Sequence, residues 1–266
     1  MVGEMMGKVV FWRTLAAAYR LTFGDLKRFV RLTEPWSTAI AGIYVVVAGL
    51  AIITDSSVAF AFLLIAGFPL VLGGFAAFAV AWHRVILVGV PLAEPAAFRI
   101  GRREWRFLGY LLGVLLIVGG GMTLASLPLT AAAALVAGIM GGGDAISRFI
   151  AVATNLAVLL GGLICFGRLA LVLPAVAADE AGPMLPRAWA RGRGNALRLT
   201  FGPLLGYISF AVVALPYAAL VEFVAGDDLT LSILLQLPLV WLSFLQIAVP
   251  LAFLSLAYRQ LVGSRA

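Results

Sequence analysis

A single cysteine, a single histidine and a charged fraction of only 12% are the scarcities of this 266-residue chain. Cys165 stands alone inside an apolar run, so no intrachain disulfide can form. With His83 as the only histidine, a protein-only Cys/His metal site is excluded, and a histidine-based triad has one candidate base. No Walker A loop, zinc-ligand pattern or nucleophile elbow occurs, and the sequence calls for no cofactor. A soluble domain carries roughly 25% charged residues, about twice what is found here. What fills the gap is 63% hydrophobic residues and a mean hydropathy of +1.09. In water such a chain would expose more apolar surface than a monomer tolerates. It is also far too apolar for disorder. Its solvent is lipid.

Crossing the hydrocarbon takes about 20 mostly apolar residues. Six stretches approach that length: residues 36–53, 58–81, 107–127, 149–168, 200–224 and 229–257. They pair across Thr54-Asp55-Ser56-Ser57, across residues 128–148, and across Gly226-Asp227-Asp228. Residues 129–140 are apolar but too short to span, and read as a lip or re-entrant segment between Pro128 and the Gly141-Gly142-Gly143-Asp144 break. The expected fold is all-α: a polytopic membrane protein with six transmembrane helices in three hairpins. Residues 1–35 form an amphipathic interfacial helix ahead of one membrane domain, residues 36–266. With no continuous apolar core and its basic residues dispersed, the 1–35 segment does not read as a signal peptide.

Lysine and arginine sort by side. Seventeen lie in residues 1–35, 82–106, 178–199 and 258–266, against Arg148 alone on the other side. The positive-inside rule then places both termini in the cytoplasm of a bacterial inner membrane. The excess of positive charge faces anionic lipid, and the linkers are too short to hold a nucleic-acid-binding module.

An internal repeat is also expected. Arg20-Leu21-Thr22-Phe23-Gly24 recurs as Arg198-Leu199-Thr200-Phe201-Gly202, and Arg106-Phe107-Leu108-Gly109 is a looser copy. Each hairpin closes on an arginine beside an aromatic segment: Trp82-His83-Arg84, Phe166-Gly167-Arg168 and Tyr258-Arg259. From opening to closing arginine the separations are 64, 62 and 61 residues, the mark of a threefold tandem repeat.

Several groups are candidates for chemistry. In the N-terminal segment, Trp12, Leu15, Tyr19, Phe23, Leu26 and Val30 share one helical face, and Lys8, Arg13, Arg20, Lys27, Arg28 and Arg31 fill the rest. That pattern suits a helix lying in the membrane interface, or one packed beneath the bundle. Arg99, Arg102, Arg103 and Arg106, and then Arg187, Arg191, Arg193 and Arg198, interleave with Phe98, Trp105, Phe107 and Trp189. Arg84, Arg168 and Arg259 each end an apolar run and must snorkel or pair, with Asp25, Glu34, Glu94, Glu104, Asp179 and Glu180 as partners on the same side. As repeat equivalents they either anchor the hairpins or ring a central phosphate. The candidate anionic-lipid or anchor residues are therefore Arg84, Arg168, Arg259, Arg20, Arg106 and Arg198, with Trp82 and an interfacial His83. Gly109…Gly113 and Gly202…Gly206 are small-xxx-small patterns for close helix packing.

The motifs Ala18-Tyr19-Arg20, Ala81-Trp82-His83-Arg84-Val85-Ile86-Leu87, Gly167-Arg168-Leu169-Ala170-Leu171-Val172-Leu173-Pro174-Ala175, Ala188-Trp189 and Arg193-Gly194-Asn195 resemble a group of bacterial inner-membrane proteins. These uncharacterised six-helix proteins are distantly similar to the membrane domain fused to some glycerophosphodiester phosphodiesterases. The resemblance implies a six-helix membrane module serving phospholipids or a neighbouring complex. The hydrolytic domain is absent, so no catalytic residue carries over.

The function expected is non-enzymatic: binding of anionic phospholipid at the cytoplasmic face, as accessory or scaffold to another membrane protein complex. The rival is a transporter or flippase for a lipid or apolar small molecule. It rests on interrupted spans (Gly67-Phe68-Pro69, Gly119-Gly120-Gly121, Pro216) and requires a cavity at membrane depth lined by Asn155, Ser209, Gln236 or Gln246. No Asp, Glu, Lys or Arg lies at a span centre to couple such transport to ions. An enzyme would need His83 to converge with Asp179 or Glu180.

Overall fold

The computed structural model describes residues 8–54, 57–89, 100–139, 144–226 and 228–263. Among them every regular element is a helix. In chain order these are α1 (Phe11–Gly24), α2 (Leu26–Thr54), α3 (Ser57–Leu87), α4 (Arg102–Ile139), α5 (Asp144–Leu169), α6 (Val172–Ala177), α7 (Met184–Arg191), α8 (Ala196–Ala225) and α9 (Leu229–Gly263). Five segments are long and apolar enough to cross a membrane: Gly67–Leu87, Arg102–Ile139, Ala145–Ala177, Ala196–Ala225 and Thr230–Gly263. The chain is an all-α, multi-pass membrane protein. α2 covers the first apolar stretch and extends it at the N-terminal end with Lys27, Arg28, Arg31 and Glu34.

Residues 129–139 are neither a lip nor re-entrant. They continue α4, which passes Pro128 unbroken for 38 residues. Pro69 in α3, Pro203 and Pro216 in α8, and Pro238 and Pro250 in α9 also lie inside helices. A proline inside a helix costs ~3 kcal/mol in water. In a membrane it is tolerated, because leaving the helix would strand far more backbone polar groups in hydrocarbon. The break expected at Gly141-Gly142-Gly143, the turns at Asp55-Ser56 and Asp227, and Glu94, Phe98 and Arg99 lie outside the described residues.

α9 is the hub. It packs against α1, α2, α3, α6 and α8, whereas α5 touches only α4, α7 and α8 among the principal contacts. The three hairpins α2–α3, α4–α5 and α8–α9 therefore pack unequally. The core beside α9 is aromatic: Phe78 stacks on Trp82 at 6.0 Å, and Phe29 meets both rings edge-on. The Trp82 indole donates a 3.0 Å hydrogen bond to the Ala248 carbonyl of α9. Trp82 is thus a core residue and not the lipid-facing anchor its sequence position suggests. Trp82→Phe should lower stability by about 1–2 kcal/mol through the lost hydrogen bond and the vacated space. A thermal midpoint in lipid discs unchanged from wild type would refute this role.

Helix association in lipid depends on close packing and hydrogen bonds, since lipid tails are as apolar as leucine. Gly202 accommodates the Phe253 ring, and Gly206 accommodates Val249 and Pro250, so that small-residue pair seats α9 against α8. The other pair does not behave this way, because Gly109 and Gly113 face open space. Gly167 lets α5 lie directly on the α8 backbone at Thr200. The Thr200 hydroxyl closes that joint by hydrogen bonding to the Leu163 carbonyl at 3.1 Å.

α1 packs chiefly on α9 and touches α8 near both of its ends. Val9, just before it, donates its backbone N–H to Asn195 at the start of α8, and Phe23 near its end stacks on Phe210. Its inward face is Thr14, Leu15, Ala18 and Thr22. The predicted aromatic face is thus divided: Leu15 is buried and Tyr19 and Phe23 meet α8, while Trp12 is exposed. The chain then breaks at Asp25, so Leu26 and Val30 belong to α2.

Candidate anion-binding site

After Arg168 the chain makes a turn and then the short α6, all of whose residues, Val172–Ala177, are buried. α6 closes with Glu180 N–H bonded to the Ala175 carbonyl and Asp179 N–H bonded to the Val176 carbonyl. This is a Schellman motif with Asp179 in the left-handed region at φ 57°. Glycine is the usual residue there. Here an aspartate holds the position and delivers a carboxylate to the end of the bundle.

That carboxylate gathers two arginines. Arg84 from α3 reaches Asp179 at 3.2 Å and also donates to the Ala177 carbonyl. Arg103 from α4 reaches it at 2.6 Å and through its Nε at 3.0 Å. Hydrogen bonding from Arg103 holds the Asp179 carboxyl below its ordinary value. The next residue repeats the arrangement. Glu180 takes both terminal nitrogens of Arg191 at 2.7 Å each, a bidentate pair, with Arg187 at 3.5 Å and the Tyr258 hydroxyl of α9 also bonded to it. Its pKa is held down at about 2, first by the Arg191 hydrogen bonds. The same pairing raises that of Arg191.

The three closing arginines are therefore not equivalent, and they do not form a ring. Arg84 is an ion-pair anchor. Arg168 lies over the Trp189 ring at 3.5 Å and donates to the Trp189 carbonyl at 2.7 Å, clamping α7 to the end of α5. Only Arg259 turns elsewhere. Of the other candidates, Arg198 donates to Asn195 at 3.4 Å, and Arg106 is exposed beside Asp179. His83 does not face lipid. It is fully buried, with Nδ1 2.6 Å from the Ser255 hydroxyl and its ring 5.9 Å from Phe107. His83, Asp179 and Glu180 thus have separate partners.

Arg259 lines a cavity of about 580 Å³ between α1 and α9. Its walls carry Arg259 and Gln260 from α9, with Lys8, Arg13, Thr14 and Arg20 from α1 and its lead-in. Arg13 and Arg20 are seven residues apart, two turns, and so share a face of α1. The neutral polar groups are already engaged: Gln260 donates to the Thr14 hydroxyl at 2.9 Å and accepts from the Val10 N–H at 3.1 Å. Those bonds fix α1 to α9. Among the described residues, the four cations have neither ion pair nor hydrogen bond, and no carboxylate lines the cavity. Sequence reading named Arg20 and Arg259 but left Lys8 and Arg13 as the polar remainder of a helix. The signal that joins them is the seven-residue spacing, once α1 is known to face α9.

Three of the four polar residues proposed for a transport cavity are engaged between or along helices. Ser209 meets the Tyr19 hydroxyl at 2.5 Å, Gln236 accepts from Tyr44 at 2.6 Å, and Asn155 donates to the Ala151 carbonyl of its own helix. Compared with known proteins, the chain matches no family, no curated protein and no solved structure.

Proposed function

We propose that the protein is a non-enzymatic inner-membrane protein that binds anionic phospholipid at its cytoplasmic face. It serves as accessory or scaffold to another membrane protein complex. In this reading α2 joins the five other spans, the three hairpins descend from one repeated unit, and both termini lie in the cytoplasm. Nucleic acid is not a partner. The single observation that carries the reading is the α1–α9 cavity, where four cations stand together without an acid. Like charges so gathered repel one another, and an anion drawn from the membrane surface reverses the sign of that interaction. Each basic residue near an anionic surface contributes about 1 kcal/mol.

The test separates the cavity from the anchors. Arg13→Gln, Arg20→Gln and Arg259→Gln combined should weaken retention of anionic lipid about 100-fold, with the thermal midpoint unchanged. Arg84→Gln should do the reverse, lowering the midpoint while the lipid stays. Native mass spectrometry of the protein released from lipid discs reads both. Undiminished anionic lipid on the triple variant would overturn the proposal.

A further inference from the structure

We infer that the α1–α9 cavity takes a headgroup bearing two phosphates, an inference that rests on the anionic-lipid reading above. Charge is the first reason. A phosphodiester with one phosphate brings one negative charge, which would leave three of the four cations Lys8, Arg13, Arg20 and Arg259 uncompensated. A second phosphate lowers the number left over from three to two. Spacing is the second reason. Arg13 and Arg20 are seven residues apart on α1, about 10 Å along the helix axis, so each guanidinium can serve a phosphate of its own. Arginine is suited to this, because its planar fork grips phosphate oxygens two at a time.

Room is the third reason. A single tetrahedral phosphate fills only a small part of 580 Å³. Two phosphates joined by a short linker use it better. Thr14 and Gln260 are already bonded to each other and to the backbone, so they shape the wall and leave recognition to the cations. The remaining lining, Val10, Ala17 and Leu256, is apolar, and Trp12 stands exposed on the same helix. That mixture suits the glycerol region of a lipid better than a fully solvated anion.

The experiment uses the full chain in lipid discs with equal amounts of phosphatidylglycerol, one phosphodiester, and diphosphatidylglycerol, two phosphodiesters. Retained lipid is counted by native mass spectrometry, and soluble pyrophosphate and inorganic phosphate are added in separate arms. Retention of the two-phosphate lipid about tenfold above the one-phosphate lipid is expected. The gap should close in Arg13→Gln with Arg20→Gln, and reopen in Arg13→Lys with Arg20→Lys. Preference for pyrophosphate over phosphate without lipid retention would uphold the two-phosphate site and assign it to a soluble anion. Equal retention of both lipids, with no preference between the soluble anions, overturns the inference but leaves the anionic-lipid reading standing. Loss of every anion preference overturns both. An unchanged thermal midpoint in each variant shows that the readout is binding and not unfolding.

Discussion

Glu180→Ala should destabilise the protein by on the order of 2–3 kcal/mol, among the largest losses expected from any single charge removal here. Removing the carboxylate leaves Arg191 half-enclosed beneath Tyr258 with no counter-charge, its terminal nitrogens having lost both 2.7 Å bonds. The Arg191 side chain is only 13% exposed, so water replaces those bonds poorly. A fully buried pair loses roughly 3–5 kcal/mol when one partner is removed, and the partial exposure here sets the value lower. Glu180→Gln keeps the shape and part of the hydrogen bonding, and should lose about half as much. The same group makes stability depend on pH. Its folded pKa of about 2 lies below the ordinary 4.5, so the stabilisation is present above about pH 4.5 and is lost as pH falls from 4.5 towards 2. Asp179 is shifted the same way and adds to the fall. Thermal midpoints of wild type and Glu180→Gln across that range test the claim. The wild-type curve should drop more steeply, and parallel curves would refute the assignment.

Gly167→Val should cost about 3 kcal/mol, at the top of the usual range for overpacking. A Cβ at this position would lie 2.5 Å from the Thr200 hydroxyl, 2.9 Å from the Thr200 nitrogen and 3.0 Å from the Leu199 carbonyl carbon. Two of those three atoms are backbone, so no change of rotamer relieves the clash. α5 and α8 must separate, and the Thr200 bond to the Leu163 carbonyl goes with them. In lipid there is no hydrophobic gain to draw the helices back. Gly109→Val is the control: its position on α4 meets nothing within 4 Å, and the change should be close to neutral. If both variants unfold at the same temperature in lipid discs, the α5–α8 joint is not where stability resides.

Much of this architecture can be read in hydropathy. All six apolar stretches coincide with helices, and in five of them the helix is long and apolar enough to cross a membrane, where a helix is the one way a lone segment satisfies its backbone. Their ends were less legible. Pro128 looks like a stop by the rules of water, yet α4 carries on past it. The apolar segment after Arg168 folds into α6 with a left-handed turn at Asp179 that no periodicity signals. The site was half legible. Arg20 and Arg259 could be named from charge and repeat spacing, but Arg84 and Arg168 carry the same sequence signature and do other work. What distinguishes them is a partner far away in the chain: Asp179 is 95 residues from Arg84. Trp82 and His83 misled for a related reason. An aromatic and a histidine before an arginine resemble an interfacial belt, but the α9 carbonyl of Ala248 and the Ser255 hydroxyl draw both into the core.

α4 also bears on the membrane that surrounds it. At 1.5 Å per residue its 38 residues make a rod ~57 Å long, set in a hydrocarbon layer of ~30 Å. Upright, it would push apolar turns such as those of Leu129, Leu135 and Ile139 out into headgroups and water. The mismatch is taken up by steep tilt, by local thickening of the bilayer, or by both. What tilt does not take up falls to the bilayer beside α4, so membranes of greater thickness should accept the helix with less strain.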